Sequence, residues 1–191
     1  MLQGLLVDLV PFGDRFKARE HDWRNSEGVF YWATGGRWFE TRRGVEEAQQ
    51  RHLDQWERGE PRMAFGVQTK DGTPIGLFAF NHVHPHHRLL MLSALIGEPD
   101  YWGGGYGTDA LTLLADFGFE WLDARKLWLK TMSLNERVQR QMQKVGFTLE
   151  SSEREATWAD NDWAGMLTYG LLREEWPGRA AVIERIGLKA R

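Results

Sequence analysis

Cysteine is absent from the 191-residue chain. That one absence removes a disulfide framework, a thiolate metal site and a cysteine nucleophile. No stretch approaches the roughly 18 consecutive apolar residues of a membrane-spanning helix, and the first residues lack a basic segment leading into an apolar signal region. The expectation is a soluble, cytoplasmic protein with no membrane partner. An excess of positive charge is also missing. The formal net charge is -3, the wrong sign for a protein whose main task is to neutralise phosphates along nucleic acid, so no nucleic-acid partner is expected. Internal repeats and low-complexity tracts are lacking too.

Aromatic bulk is abundant. Trp and Phe number 10 each, enough to fill core volume, cover an interface or line a substrate pocket. With 42% hydrophobic residues the length suits one well-packed domain. The expected division is a domain over 1–176 followed by a tail or helix over 177–191.

Leu2 to Val10 reads as a strand stopped by Pro11, and Asp14 to Arg24 as a helix. An irregular aromatic segment, 25–42, is the candidate substrate-facing loop. A charged amphipathic helix is expected over 41–58. Three strand-like runs, 62–69, 74–83 and 88–96, form an antiparallel meander. Ala110, Leu114, Phe117 and Trp121 recur at helical spacing, which predicts a helix over 107–122 followed by a strand over 126–131. Ser133 and Glu136 fit a capping box for the next helix, and Gly146 supplies its stop. Two strands, 147–157 and 165–172, flank the acidic turn Asp160-Asn161-Asp162, and a short charged helix closes the chain. That helix suits packing on the domain or against a second subunit, which leaves a homodimer open.

The central feature is Trp102-Gly103-Gly104-Gly105-Tyr106-Gly107, placed between a strand and a helix. Such a turn aims backbone N–H groups and the positive end of a helix dipole at one point, where an anion binds. Side chains there would hold a phosphate away from the backbone. A dinucleotide-binding fingerprint requires an initial βαβ unit, and hairpins precede this turn instead. A nucleoside-triphosphate loop requires Lys-Ser/Thr after its last glycine, whereas Thr108-Asp109 follow Gly107.

The run from Ile96 to Leu111 resembles motif A of the GNAT superfamily of N-acetyltransferases. Its later partner is the helix led by Asn135, with Arg137, Val138, Lys144 and Gly146-Phe147. The similarity extends loosely over Leu2 to Trp176 and is closest to the branch of ribosomal-protein N-terminal and small-amine acetyltransferases. The resemblance implies a mixed α/β (α+β) single domain. Its mainly antiparallel sheet would have about seven strands flanked by helices, with acyl-CoA at a splayed strand pair. It further implies acetyl-CoA as co-substrate, with the pyrophosphate at Trp102, Gly103, Gly104, Gly105, Tyr106, Gly107 and Thr108. The pantetheine arm would run along Leu95, Ile96 and Gly97, and Asn135 would reach the pantetheine or phosphate region. Trp102 departs from the family's Arg or Gln, so a guanidinium or amide contact is missing there. The acceptor implied is a primary amine, on a small molecule or a protein N-terminus. The alternatives are an acyl-CoA sensor without turnover and a longer acyl group.

Transfer to an amine needs a proton acceptor, because an alkylammonium holds its proton up to about pH 10.4. Glu98 is the candidate base, with Asp100 behind it. Met142 stands at the position aligned with the family's tyrosine acid and cannot donate a proton. Either the thiolate leaves unassisted or Ser133, Tyr106 or a water serves. The histidines at 82, 84, 86 and 87 alternate as metal ligands on a strand do, but they surround Pro85 in a hairpin turn with no carboxylate cluster nearby. No metal is expected.

Overall fold

A computed structural model describes residues 1–26, 39–57, 62–159 and 161–190. The expected substrate-facing loop falls largely outside them, as does Asp160 of the acidic turn. Chain order is β1 (Leu2–Gln3), β2 (Val7–Pro11), α1 (Asp14–Asn25), α2 (Arg42–Glu57), β3 (Met63–Thr69), β4 (Pro74–His84) and β5 (Leu89–Ile96). A 3-10 turn at Pro99–Tyr101 leads to α3 (Tyr106–Glu120), β6 (Lys126–Met132), α4 (Glu136–Val145), β7 (Thr148–Ala159), β8 (Asp162–Leu172) and α5 (Arg179–Ile186). The expected mixed architecture is present. Among the described residues the sheet has eight strands in the order β1-β2-β3-β4-β5-β6-β8-β7, antiparallel throughout except where β5 meets β6.

The first strand differs from expectation: it is folded back as a hairpin, with Leu2 opposite Leu9. Gly4 N donates to Val7 O at 2.8 Å to close its turn. The buried carboxylate of Asp109 accepts from Leu6 N at 2.7 Å and Val7 N at 3.1 Å. A second correction concerns the start of α4. Its N-cap is Asn135, whose side chain accepts from Val138 N at 3.2 Å. Ser133 sits earlier and pairs with Gly165 in both directions: its N donates to Gly165 O at 2.9 Å, and its Oγ accepts from Gly165 N at 3.0 Å. Its hydroxyl is therefore committed to β8 rather than to the helix. At the other end Gly146 takes the left-handed conformation, φ 115°, as the expected stop.

Two faces of the sheet carry different helices. Leu77, facing α1, lies opposite Gly66 on β3, which leaves no room for a side chain beside Phe16 of α1. Phe80 and Leu90 pack instead against Gly118 of α3. The main core lies beneath α3, where Ala110, Leu111, Leu114 and Phe119 meet Phe78, Phe80 and Leu127. Each such large apolar side chain contributes about 1.5–3 kcal/mol by leaving water. Val182 of α5 belongs to this same core. Arg185 of that helix donates to Val145 O at 3.0 Å, and Arg179 pairs with Asp109 at 2.6 Å.

Candidate functional site

The parallel pairing of β5 with β6 covers only Leu89–Lys126, Leu90–Leu127 and Met91–Trp128. Beyond that point the strands part. β5 continues to Ile96 paired only with β4, and β6 continues to Met132 paired only with β8. The edge of β5 facing β6 thus offers unpaired backbone groups from Leu92 onward, which an extended polar chain can satisfy. A cavity of about 430 Å³ occupies the gap, lined by Leu92, Ser93, Ala94 and Leu95 on one side and Leu129, Lys130, Thr131 and Met132 on the other.

The cavity crosses the sheet. Register puts Met91, Ser93 and Leu95 on the α1 face with Leu77, and Leu92, Ala94 and Ile96 on the α3 face with Phe80. On the α3 face the lining includes Asn135, Val138, Gln141 and Met142 from α4. On the α1 face it includes Arg24, Arg62 and Asn81.

The glycine turn begins where β5 ends. Trp102 Nε1 donates to Ile96 O at 2.8 Å, so the turn folds back over the strand terminus. Gly103 and Gly105 adopt φ of 78° and 91°, and Gly105 forms the N-cap of α3. A Cβ at Gly105 would stand 2.7 Å from Leu188 Cδ1 and would also strain the backbone. Gly97 is needed for a different reason: its Cβ would lie 2.1 Å from Trp23 Cγ. Tyr101 and Tyr106 pack edge to face at 5.0 Å and brace the two ends of the turn. Thr108 follows in the first turn of the helix.

Arg137 changes the reading of Trp102. Its guanidinium carbon lies 4.1 Å from the Trp102 ring centroid, a cation–π contact. Burial lowers the Arg137 pKa from the usual guanidinium value, and no carboxylate is set against that effect. A positive group therefore does stand beside the turn, carried by α4 instead of by position 102. The sequence contained the arginine but not its stacking on a side chain 35 residues earlier.

Glu98 lies at the α1 side of the turn. Its Oε1 accepts from Trp23 Nε1 at 2.8 Å and from Arg19 Nη2. It is not among the residues lining the cavity, and neither is Ser133. Met142 does line it and is buried. At the opposite sheet end His84 and His87 stack at 4.3 Å in the β4–β5 turn. Among the described residues, no group of three or more His, Cys, Asp or Glu side chains is placed to hold a metal. Nor is any helix among them long and apolar enough to cross a membrane.

The acetyltransferase (GNAT) domain model matches residues 10–148, which span the meander, the glycine turn, α3, β6 and α4. The chain belongs to the GNAT acetyltransferase family. Within that family it is 34% identical over 80 residues to spermidine N(1)-acetyltransferase of Escherichia coli strain K12, covering 42% of each chain. It thus spans well under half the length of the curated relatives it matches. Two solved structures share the fold. Spermidine N-acetyltransferase from Vibrio cholerae, in complex with CoA and spermine, has a TM-score of 0.78 at 17% identity, over 88% of this chain and 96% of that one. Mycobacterium smegmatis RimJ, in complex with CoA-disulfide, has a TM-score of 0.79 at 20% identity, over 95% and 89%.

Proposed function

We propose that this protein is an acetyl-CoA-dependent N-acetyltransferase that acts on a primary amine by direct attack on the thioester. The observation that carries the reading is the cavity through the sheet, which joins the glycine-turn side to the α1 face. Thioester and amine then approach from opposite faces and meet where β5 and β6 part.

In this reading the backbone amides of 103–107 and the α3 dipole hold the pyrophosphate, and Arg137 on Trp102 adds a guanidinium at the same place. Leu95, Ile96 and Gly97 border the pantetheine arm, with Asn135 and Gln141 on its other side. The amine nitrogen attacks the carbonyl carbon and forms the C–N bond, the carbonyl oxygen gains charge, and the C–S bond breaks as the carbonyl reforms. A β5 amide directed into the split stabilises that oxygen. The departing sulfur leaves as thiolate, acceptable for a thiol with an ordinary pKa near ~8.5, and takes up the second proton that the attacking nitrogen loses in becoming an amide. The buried thioether of Met142 supplies packing but no proton.

The acceptor's ammonium proton is assigned to Glu98. Among the described residues both hydrogen bonds of that carboxylate fall on Oε1, so Oε2 is assigned as the proton-accepting oxygen; because Glu98 does not line the cavity, the proton reaches it by relay.

Methionine at 142 favours a second reading, a module that binds acyl-CoA without turnover. One experiment separates the two: thiol release from acetyl-CoA with a panel of small amines and N-terminal peptides, repeated with longer acyl-CoA. Amine-dependent release supports acetyl transfer. Tight CoA binding without release from any acceptor supports the second reading.

A further inference from the structure

We infer that the acceptor amine carries a carboxylate and that Arg62, on the α1 face of the cavity, holds it. The inference rests on the acetyl-transfer reading, because it assigns the acceptor end of the same cavity.

Among the described residues, the charged side chains that line the cavity are Arg24, Arg62 and Lys130, all cationic. Two of the three are spent. Lys130 pairs with Glu153 at 2.7 Å. Arg24 is bound through Nε and Nη2 to Glu20 at 2.8 and 2.7 Å, and through Nη1 to Glu40 at 3.2 Å. The second oxygen of Glu20 accepts from Gln49 at 2.8 Å. The hydrogen bonds of both glutamates thus go to Arg24 and Gln49, and neither glutamate lines the cavity.

Arg62 differs from both. Its Nε donates to Asn81 Oδ1 at 2.9 Å, and among the described residues no carboxylate lies within ion-pair distance of it. Asn81 occupies the irregularity between Phe80 and His82, where β4 changes register against β5 beside Met91. The bulge turns the amide toward the split, and the amide fixes the guanidinium plane. Among the described residues nothing hydrogen-bonds to the terminal nitrogens of Arg62, and their geometry suits a planar anion, which a carboxylate matches with two parallel hydrogen bonds. Burial acts against the Arg62 charge, partly offset by Glu20 and aggravated by Arg24, so an incoming anion restores what desolvation removes. A polyamine brings a second ammonium to this same end, where like charge opposes it. Ser93, on the same face, is a neutral polar group lining the split. A free amino acid and an acidic amino-terminal peptide residue both supply an amine with a nearby carboxylate.

The test uses the full chain with acetyl-CoA. Amino acids, their amides, spermidine and dipeptides beginning with an acidic residue are compared by thiol release. Binding of an amino acid to the CoA-bound protein is followed in parallel by calorimetry. Arg62→Gln and Arg62→Lys are carried through both assays, with thermal unfolding to check the fold. The expected kcat/KM for amino acids exceeds that for the amides and for spermidine by about tenfold or more. Arg62→Gln lowers it by about ten- to a hundredfold through KM for the acids and leaves the amides unchanged. Arg62→Lys retains part of the preference. Preference for the dipeptide over the free amino acid identifies the peptide as the source. Equal or better turnover of amides or spermidine overturns the inference while acetyl transfer stands, as does an equal loss for acids and amides in Arg62→Gln. Arg62-dependent binding of an amino acid without turnover supports carboxylate recognition and removes acetyl transfer. Absence of both overturns both.

Discussion

Asp109 joins the β1–β2 turn and α5 to α3, and the cost of Asp109→Ala follows directly from these contacts. The residue is fully buried. One oxygen accepts from two backbone amides of the β1–β2 turn, at 2.7 and 3.1 Å. The other accepts from Arg179 at the start of α5, at 2.6 Å. Alanine leaves two amides without an acceptor, at about 1–3 kcal/mol each. It also strips Arg179 of its partner in a site where that side chain is only 20% exposed. These effects overlap, and breaking one partner of a buried pair costs about 3–5 kcal/mol in all. Against a total stability of about 5–15 kcal/mol for a folded domain, that is a large fraction. Urea unfolding followed by tryptophan fluorescence reads the loss, and Asp109→Asn, which keeps one acceptor oxygen, falls between wild type and Ala. A loss below about 1 kcal/mol for Ala refutes the claim that this carboxylate ties the amino-terminal hairpin and α5 to α3.

Three further outcomes are expected. Gly105→Ala lowers stability by about 1–2 kcal/mol through its left-handed φ alone, more with the Leu188 contact, and weakens CoA binding; thermal unfolding and calorimetry measure the two effects. Arg137→Ala weakens CoA by about tenfold or more, the size of a charge-assisted hydrogen bond, and scarcely moves the melting temperature; unchanged affinity removes Arg137 from the phosphate site. Glu98→Gln lowers kcat by about a hundredfold, the lower end of general-base contributions, with acetyl-CoA affinity nearly unchanged; equal turnover across pH shows that Glu98 only anchors Trp23 and Arg19.

The elements that create the split were legible because each has a local signal. α3 shows its apolar face at every third or fourth residue, α4 ends at a glycine, and the glycine turn has no bulky alternative. The fold-back at Gly4 was not legible, since its acceptor is a carboxylate 102 and 103 residues away. The start of α4 was misjudged because Ser133–Glu136 and Asn135–Val138 share one spacing; the pairing of Ser133 with Gly165 on β8 decides between them. The acceptor end escaped for a related reason. Arg24, Arg62 and Asn81 come from α1, from the residue before β3 and from β4, and they line one cavity only once these segments are folded together.

The most direct test of the central claim is a structure of the protein with CoA bound. The pyrophosphate is expected within hydrogen-bonding distance of the backbone amides of residues 103–107, the pantetheine along the open edge of β5, and the thiol between Ser93 and Met132. A CoA pyrophosphate bound away from the glycine turn, or a closed β5–β6 pair with the cofactor elsewhere, contradicts it.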